Sequence, residues 1–373
     1  MRLHLLSIPH TVTDVSFSHC AFTQKVRKMG PMLRAQDFEV LHYGVEGADS
    51  GATADVVLMG QDEHQELLGH PYHAQDAQGG FYGDDAVEGN AVYRQWNLYA
   101  REELKARIAP GDLILLPFGH AHAAAIRGLP NLADGTAGAI ESGIGYLDSF
   151  LPWRVYESEA CRHAAMAKEG RWGVHESSTR LEYVVPNYYV PDEWPEGHGG
   201  DAIVFLGRLT EGKGVPLILS LARKRPDLTF RFAGQGTMKP EWGDIPPNVE
   251  LVGPLNAERA AYLGNARAII APSRYIEPFG GCVVEAALCG TPAITSNFGA
   301  FTETVEHDVT GLRCQTEAEW LAALDAVATL DRAAVRRRAL ARYTVDVVGR
   351  EYARVFRAMG ERLAAGAFPA TGW

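Results

Sequence analysis

Short apolar runs alternate with longer stretches of helical periodicity along most of this chain. "LHLLSI" (3–8) is too short for a helix and stops at Pro9, so it reads as a strand. "SHCAFTQKVRKMGPML" (18–33) has helical spacing, with Ser16 or Ser18 as the expected N-cap. "FEVLHYGV" and "ADVVLMG" read as strands, "AVYRQWNLYAREELKARI" (91–108) as a helix, "DLILLPFG" as a strand and "HAHAAAIRGL" as a helix. "TAGAIESG" and "WRVYES" are further short strands. Strands alternating with helices in this way predict a parallel, doubly wound sheet.

The rhythm breaks at residues 184–201, "VVPNYYVPDEWPEGHGGD", where Pro, Gly and acids mark a linker. It then restarts. "AIVFLGRL", "TFRFAG", "VELVGPL", "AIIAPS" and "PAITSN" are strands; "VPLILSLARKR", "NAERAAYLGNA", a stretch from about Gly281 and "AFTETVEH" are helices. The tail from Thr329 reads as helical to about Ala365, with Asp331 as N-cap; its basic run "RAAVRRRALARY" reads as a solvated face. A length of 373 residues fits two domains, here 1–190 and 191–349. Residues 61–90 do not fit the rhythm. They are polar and Gly-rich, with His64, His70 and His73, and predict a long irregular loop over a binding site rather than a metal centre.

Composition narrows the classes. The chain is 46% hydrophobic and 22% charged, the balance of a globular protein with a core of ordinary size. A net charge of −11 gives no global attraction to nucleic acid or an anionic membrane. Lys25, Arg27, Lys28 and Arg34 on one expected helix leave a local basic patch open. The five cysteines are odd in number and lack metal-ligand spacing, so neither a disulfide framework nor a zinc site is expected. No apolar run reaches the roughly 18 residues of a membrane span. A cytoplasmic protein is the expectation.

Two stretches carry chemistry. In "FLGRLTEGKG", Arg208 follows a strand and Lys213 stands in the next Gly-bearing loop, where open α/β sheets bind ligands. The pair reads either as an anion site or as two solvated cations. In "EPFGGCVVE", Glu277 and Glu285 flank Phe279, Gly280, Gly281, Cys282 and Val283. Two carboxylates invite an acid/base reading. The Gly pair at a helix start favours another, in which free amides and the helix dipole receive an anion. In the N-terminal half, His120 and His122 follow a strand, and Glu141 ends another.

The spacing in "EPFGGCVVE", preceded by "APS" and followed by "ALCGTPAITSNFGAFTETVEHDVTGL", resembles glycosyltransferase family 4. "FLGRLTEGKG", "RFAGQGTM" and "NVELVGPL" are similar to that family in the same order, so the resemblance runs over roughly 200–320 and is weaker before 185. It implies a retaining enzyme of the GT-B fold, an α/β architecture of two Rossmann-like domains whose parallel sheets face across a cleft. Residues 1–190 would form the acceptor-side domain and 191–349 the nucleotide-sugar domain, with a C-terminal helix at about 350–373 packing back on the first.

The resemblance implies roles. Arg208 and Lys213, next to Gly207, would neutralise the diphosphate, and Glu285 would bind the ribose. Glu277, with the amides of Phe279 to Cys282, would hold the sugar and phosphate, and Val252 to Leu255, with Pro254 among them, would border the base. His120, or failing it His122, would contact the donor sugar. Where many members carry a Gly-Gly loop after the first strand, this chain reads "SIPHTVTDVSF", so His10 and Thr11 are expected to replace it or to serve the acceptor. The donor expected is a UDP-sugar ahead of a GDP-sugar, with UDP-glucose as the first choice, and neither metal nor cofactor is required.

"IPHTVTDVSFSHCAFTQKV", "AIESGIGY" and "RVYESEACRH" resemble a branch frequent in bacteriophage, which adds a hydroxymethylated DNA base to the glycan and lipid acceptors. A nucleotide-sugar epimerase and a non-catalytic nucleotide-sugar binder share the same motifs. A dinucleotide oxidoreductase does not, because "AGQG" is only a fragment of GxGxxG.

Overall fold

The computed structural model describes residues 1–17, 20–72, 90–171 and 181–366. The chain divides into two compact units. One comprises Met1–Glu157, Arg162–Tyr188 and Val345–Trp373, the other Ser158–Cys161 and Tyr189–Thr344.

The first unit is built on a seven-stranded parallel sheet in the order β3-β2-β1-β4-β5-β6-β7. Its strands are β1 (Arg2–Leu6), β2 (Glu39–Val45), β3 (Ala54–Met59), β4 (Leu113–Leu116), β5 (Gly138–Ile144), β6 (Trp153–Tyr156) and β7 (Leu181–Val184). The apolar runs are continuous because both faces are covered. Leu3, Leu5, Leu113 and Leu115 enter one core, while Leu6, Ile114 and Leu116 enter the core on the opposite face. The last helix, Val345–Ala364, adds Val348, Tyr352, Val355, Phe356 and Met359 to the first of these cores.

The second unit carries six parallel strands in the order β10-β9-β8-β11-β12-β13. These are β8 (Ile203–Leu206), β9 (Phe230–Ala233), β10 (Val249–Gly253), β11 (Ala268–Ala271), β12 (Ala293–Ser296) and β13 (Gly311–Cys314). In both sheets the strand order reverses once, between β1 and β4 and between β8 and β11. Open parallel sheets bind ligands beyond the carboxyl ends of the strands at such a reversal.

Several local expectations need correction. The first helix is Ala21–Arg34 with Cys20 at its N-cap; Ser16 bonds to Asp14 instead, and Ser18 lies outside the described residues. "HAHAAAIRGL" forms a 3-10 turn, Gly119–His122, and a single helical turn, Ala123–Ile126. "NAERAAYLGNA" is helical only over Arg259–Gly264, and "AFTETVEH" only over Phe301–Thr304. Residues expected to form a loop include a helix, Gln61–Leu68, ended by Gly69 in the left-handed region. Its polar sequence hid the buried hydrogen bonds of His64 to Pro9 and Tyr72 and the packing of Leu67 against the core. His73 and the rest of that stretch to residue 89 lie outside the described residues. Asp331 caps Arg332–Tyr343, accepting from the Ala333 amide.

Candidate functional site

In the second unit, Gly207 and Arg208 follow β8 directly, and Glu277 lies beyond β11, the neighbouring strand across the reversal. Lys213 sits in the loop between β8 and the helix Val215–Lys224 and closes the gap: its Nζ donates to both Glu277 oxygens, at 2.8 and 3.0 Å. Ser273 Oγ donates to the same carboxylate at 2.8 Å. The Tyr275 ring stands 5.1 Å from the ammonium. Burial works against the Lys213 charge, but the Glu277 carboxylate, together with Tyr275 and Cys282, outweighs it and raises the ammonium above its ordinary range. Lys213 is therefore a cation at every working pH.

The segment after Glu277 turns into the helix Gly281–Leu288 through Gly280, whose φ of +77° suits glycine. A Cβ there would also stand 2.5 Å from the Phe301 ring. No side chain caps this N-terminus, and the helix is long enough for its first amides and its dipole to hold an anion. Phe279 is buried, edge-on to Tyr343 at 5.8 Å, so only its backbone is available for ligand contact. Cys282 is half-buried and burial pushes its thiol up to about 12, which makes it inert. Val283 is a core residue.

Glu285, one turn into the helix, pairs with Arg259 at 2.5 Å. The sequence reading missed Arg259. Its signal was a cation at the start of a short helix one strand before the motif, which spacing alone does not connect. Arg208 is exposed, and Val252 and Pro254 are exposed at the end of the edge strand β10. The second unit thus gathers three cations, Arg208, Lys213 and Arg259, two carboxylates and a helix N-terminus around the ends of β8 and β11.

The N-terminal candidates come out differently. His120 is exposed beyond β4, its ring 4.8 Å from that of Phe150. The acceptor-side candidates are buried, with relative exposures of 8% for His10, 1% for Thr11 and 0% for both His122 and Glu141. His10 Nδ1 bonds to the Tyr93 hydroxyl and Thr11 Oγ1 to Thr23 Oγ1. His122 Nε2 donates to the Ser7 carbonyl at 2.8 Å, and burial depresses its pKa to about 4. His64 Nε2 donates likewise to the Pro9 carbonyl, also with a pKa near 4 from burial. Those two histidines satisfy carbonyls of the β1 loop that burial would otherwise orphan, so the expectation that His122 faces a ligand is corrected. Glu141 does not line a surface either: it accepts from the Tyr146 hydroxyl and the Phe150 and Leu151 amides.

The expected basic patch is likewise dispersed. Lys25 is buried and paired with Glu157, Lys28 lies over the Tyr188 ring, Arg27 bonds Gln24 and Arg34 bonds the Gly51 carbonyl. No helix among the described residues is long and apolar enough to cross a membrane.

Residues 191–344 match the family described as glycosyl transferases group 1. Three likenesses accompany the match. The glycogen synthase of Mycobacterium tuberculosis is 36% identical over 156 residues, covering 38% of this chain and 37% of that protein. The chain therefore spans little more than a third of the length of that curated relative. Among solved structures, AviGT4, a glycosyltransferase involved in avilamycin A biosynthesis, superimposes with a TM-score of 0.67 at 20% identity, covering 97% of this chain and 98% of its own. HepE of Anabaena, solved in complex with UDP and glucose, gives 0.65 at 16% identity over 96% of this chain and 100% of its own. The architecture is GT-B, two Rossmann-like domains with parallel sheets, and the similarity to the glycosyl transferases group 1 family falls within the second unit.

Proposed function

We propose that the chain is a retaining glycosyltransferase of family 4 type, moving a hexose from a nucleotide-diphosphate sugar to an acceptor hydroxyl. The observation that carries this reading is the Lys213–Glu277 pair at the β8/β11 reversal, beside the uncapped N-terminus of Gly281–Leu288. Breaking the bond from the anomeric carbon to phosphate leaves negative charge on the diphosphate. Lys213, Arg208 and the helix amides meet that charge as it develops, and fixed charges of this kind dominate such barriers. Glu277 holds Lys213 in place and accepts hydrogen bonds from sugar hydroxyls. The acceptor oxygen attacks the face the phosphate leaves, and its proton passes to a leaving phosphate oxygen. Lys213 and Arg208 supply the charge a divalent ion provides elsewhere, so EDTA is expected to leave turnover intact.

UDP-glucose is the donor to test first. The acceptor proposed is a polyol, glycan or similar small hydroxyl compound. The cations of helix Ala21–Arg34 are engaged within the fold and the net charge is −11, which disfavours a DNA backbone.

The test is a thermal-shift panel of UDP-, GDP- and ADP-sugars followed by turnover measured by mass spectrometry. A bound donor raises Tm by mass action. Lys213→Ala and Arg208→Ala are each expected to lower kcat by roughly 100-fold or more. Normal turnover in both would sink the assignment. A new sugar isomer from donor alone would indicate an epimerase, binding without turnover a non-catalytic protein, and a glucosylated hydroxymethylcytosine the DNA acceptor.

A further inference from the structure

Glu141 is an unusual residue to bury on a central strand. It lies on β5, in register with Leu116 of β4 and Arg154 of β6, and is 0% exposed. All three of its hydrogen bonds come from one segment, the connection from β5 to β6. Oε1 accepts the Phe150 and Leu151 amides at 2.6 and 2.7 Å, and Oε2 accepts the Tyr146 hydroxyl at 2.9 Å. A carboxyl group placed there, with Arg154 as its nearby opposite charge, keeps these hydrogen bonds only while that segment stays closed over it.

The two aromatic residues so held converge on one place. The Tyr146 ring lies against Gly119, where an added Cβ would approach it to 2.6–2.7 Å. Gly119 also has φ of +55°, so the backbone there takes its left-handed turn directly beneath the ring. The Phe150 ring stands 4.8 Å from the next residue's imidazole, His120, at an interplanar angle of 32°. One arm therefore bears on the backbone that launches His120 and the other on its ring.

We propose that Glu141 is a positioning residue for His120, acting through Tyr146 and Phe150 as two arms of one latch. This rests on the reading that His120 contacts the transferred sugar. The carboxylate touches no ligand itself. It fixes the β5–β6 connection, and the connection fixes the imidazole beyond β4. A misplacement of about 1 Å at a substrate-contacting group lowers turnover by up to roughly 100-fold, and that sensitivity gives the latch its purpose.

Two readouts on the full chain separate the latch from the reading beneath it. The first needs no activity: the His120 ring resonances in a carbon–proton correlation spectrum. Phe150→Ala and Glu141→Ala are expected to move them, whereas Glu141→Gln, which keeps an oxygen for both amides, holds them near wild type. Unmoved His120 resonances in Phe150→Ala overturn the latch, and this half-buried site gives a folded variant if Glu141→Ala does not. The second readout is kcat/KM for the nucleotide sugar in a double-mutant cycle. Phe150→Ala alone is expected to lose about tenfold or more, and to lose nothing further in a His120→Ala background. Fully additive losses overturn the proposal. Normal turnover in His120→Ala removes the sugar-contact reading and the positioning role with it, even where the resonances move.

Discussion

Glu141 and His122 are both buried in the first unit, yet their protons move against each other. Burial pushes the Glu141 carboxyl up to about 7, against the pull of its amide and hydroxyl donors and of Arg154. A folded pKa above the unfolded value of 4.5 means that the fold binds the proton more tightly than the unfolded chain does. That stability is fully present below 4.5 and is lost as pH rises through 7; it amounts to roughly 3 kcal/mol. His122 and His64 do the reverse. Each is held neutral with a pKa near 4, against an ordinary 6.5, so the unfolded chain takes up protons that the fold refuses. Their stability is present above 6.5 and lost as pH falls toward 4. Denaturant midpoints measured from pH 4.5 to 8 test both signs. Glu141→Gln is expected to gain on wild type as pH rises through this window, and His122→Gln to gain on it as pH falls. Profiles that stay parallel to wild type would contradict these assignments. The letters alone hid this, because a His or Glu after a strand looks the same whether it faces a ligand or an orphaned carbonyl. Polar side chains that satisfy backbone carbonyls in a buried loop leave no periodic trace.

Elements were legible in proportion to how locally they are determined. The buried strands read correctly because "LILL" and "AIIA" are short, apolar and bounded, and Asp331 was found because a cap acts within one turn. The helix Gly281–Leu288 was found from its Gly pair. Helices that depend on tertiary context were over-extended: Phe301–Thr304 stops after one turn, and the 3-10 turn at Gly119–His122 takes its shape from the Tyr146 ring packed against it. The Gly280 turn offers a direct test at this scale. Gly280→Ala places a Cβ at positive φ and against Phe301, combining backbone strain with overpacking. Each effect costs on the order of 1 kcal/mol or more. The urea midpoint is expected to fall with m unchanged, and donor affinity to fall further than stability requires, since the turn aims the helix amides. A variant with wild-type midpoint and affinity would show that the turn is not constrained as described.

At the scale of the whole chain, the two units differ in how their sequence is spent. The second unit is nearly continuous, Tyr189–Thr344 with a four-residue excursion at Ser158–Cys161, which is why its motifs read in order. The first is closed by a segment from the far end of the chain. The helix Val345–Ala364 contributes Val348, Tyr352, Ala353, Val355, Phe356, Met359 and Leu363 to the core that contains Leu3, Leu5, Leu113 and Leu115. Fully burying such side chains is worth roughly 1.5–3 kcal/mol each. Leaving Ala353 aside, six of them sum to roughly 9–18 kcal/mol, as large as the roughly 5–15 kcal/mol by which a domain is ordinarily stable. The helix is therefore part of the first unit's fold rather than a tail laid upon it. Phe356 is 0% exposed and meets Phe38 edge-on at 6.4 Å and Tyr352 at 5.5 Å. Phe356→Ala is expected to cost about 3–5 kcal/mol. The loss should appear as faster amide exchange in β1, β4 and the helix Ala21–Arg34, with β8 and β11 keeping their protection. Equal loss of protection in both sheets would show that the two cores unfold as one, and unchanged exchange in β1 would show that the first core does not depend on the helix.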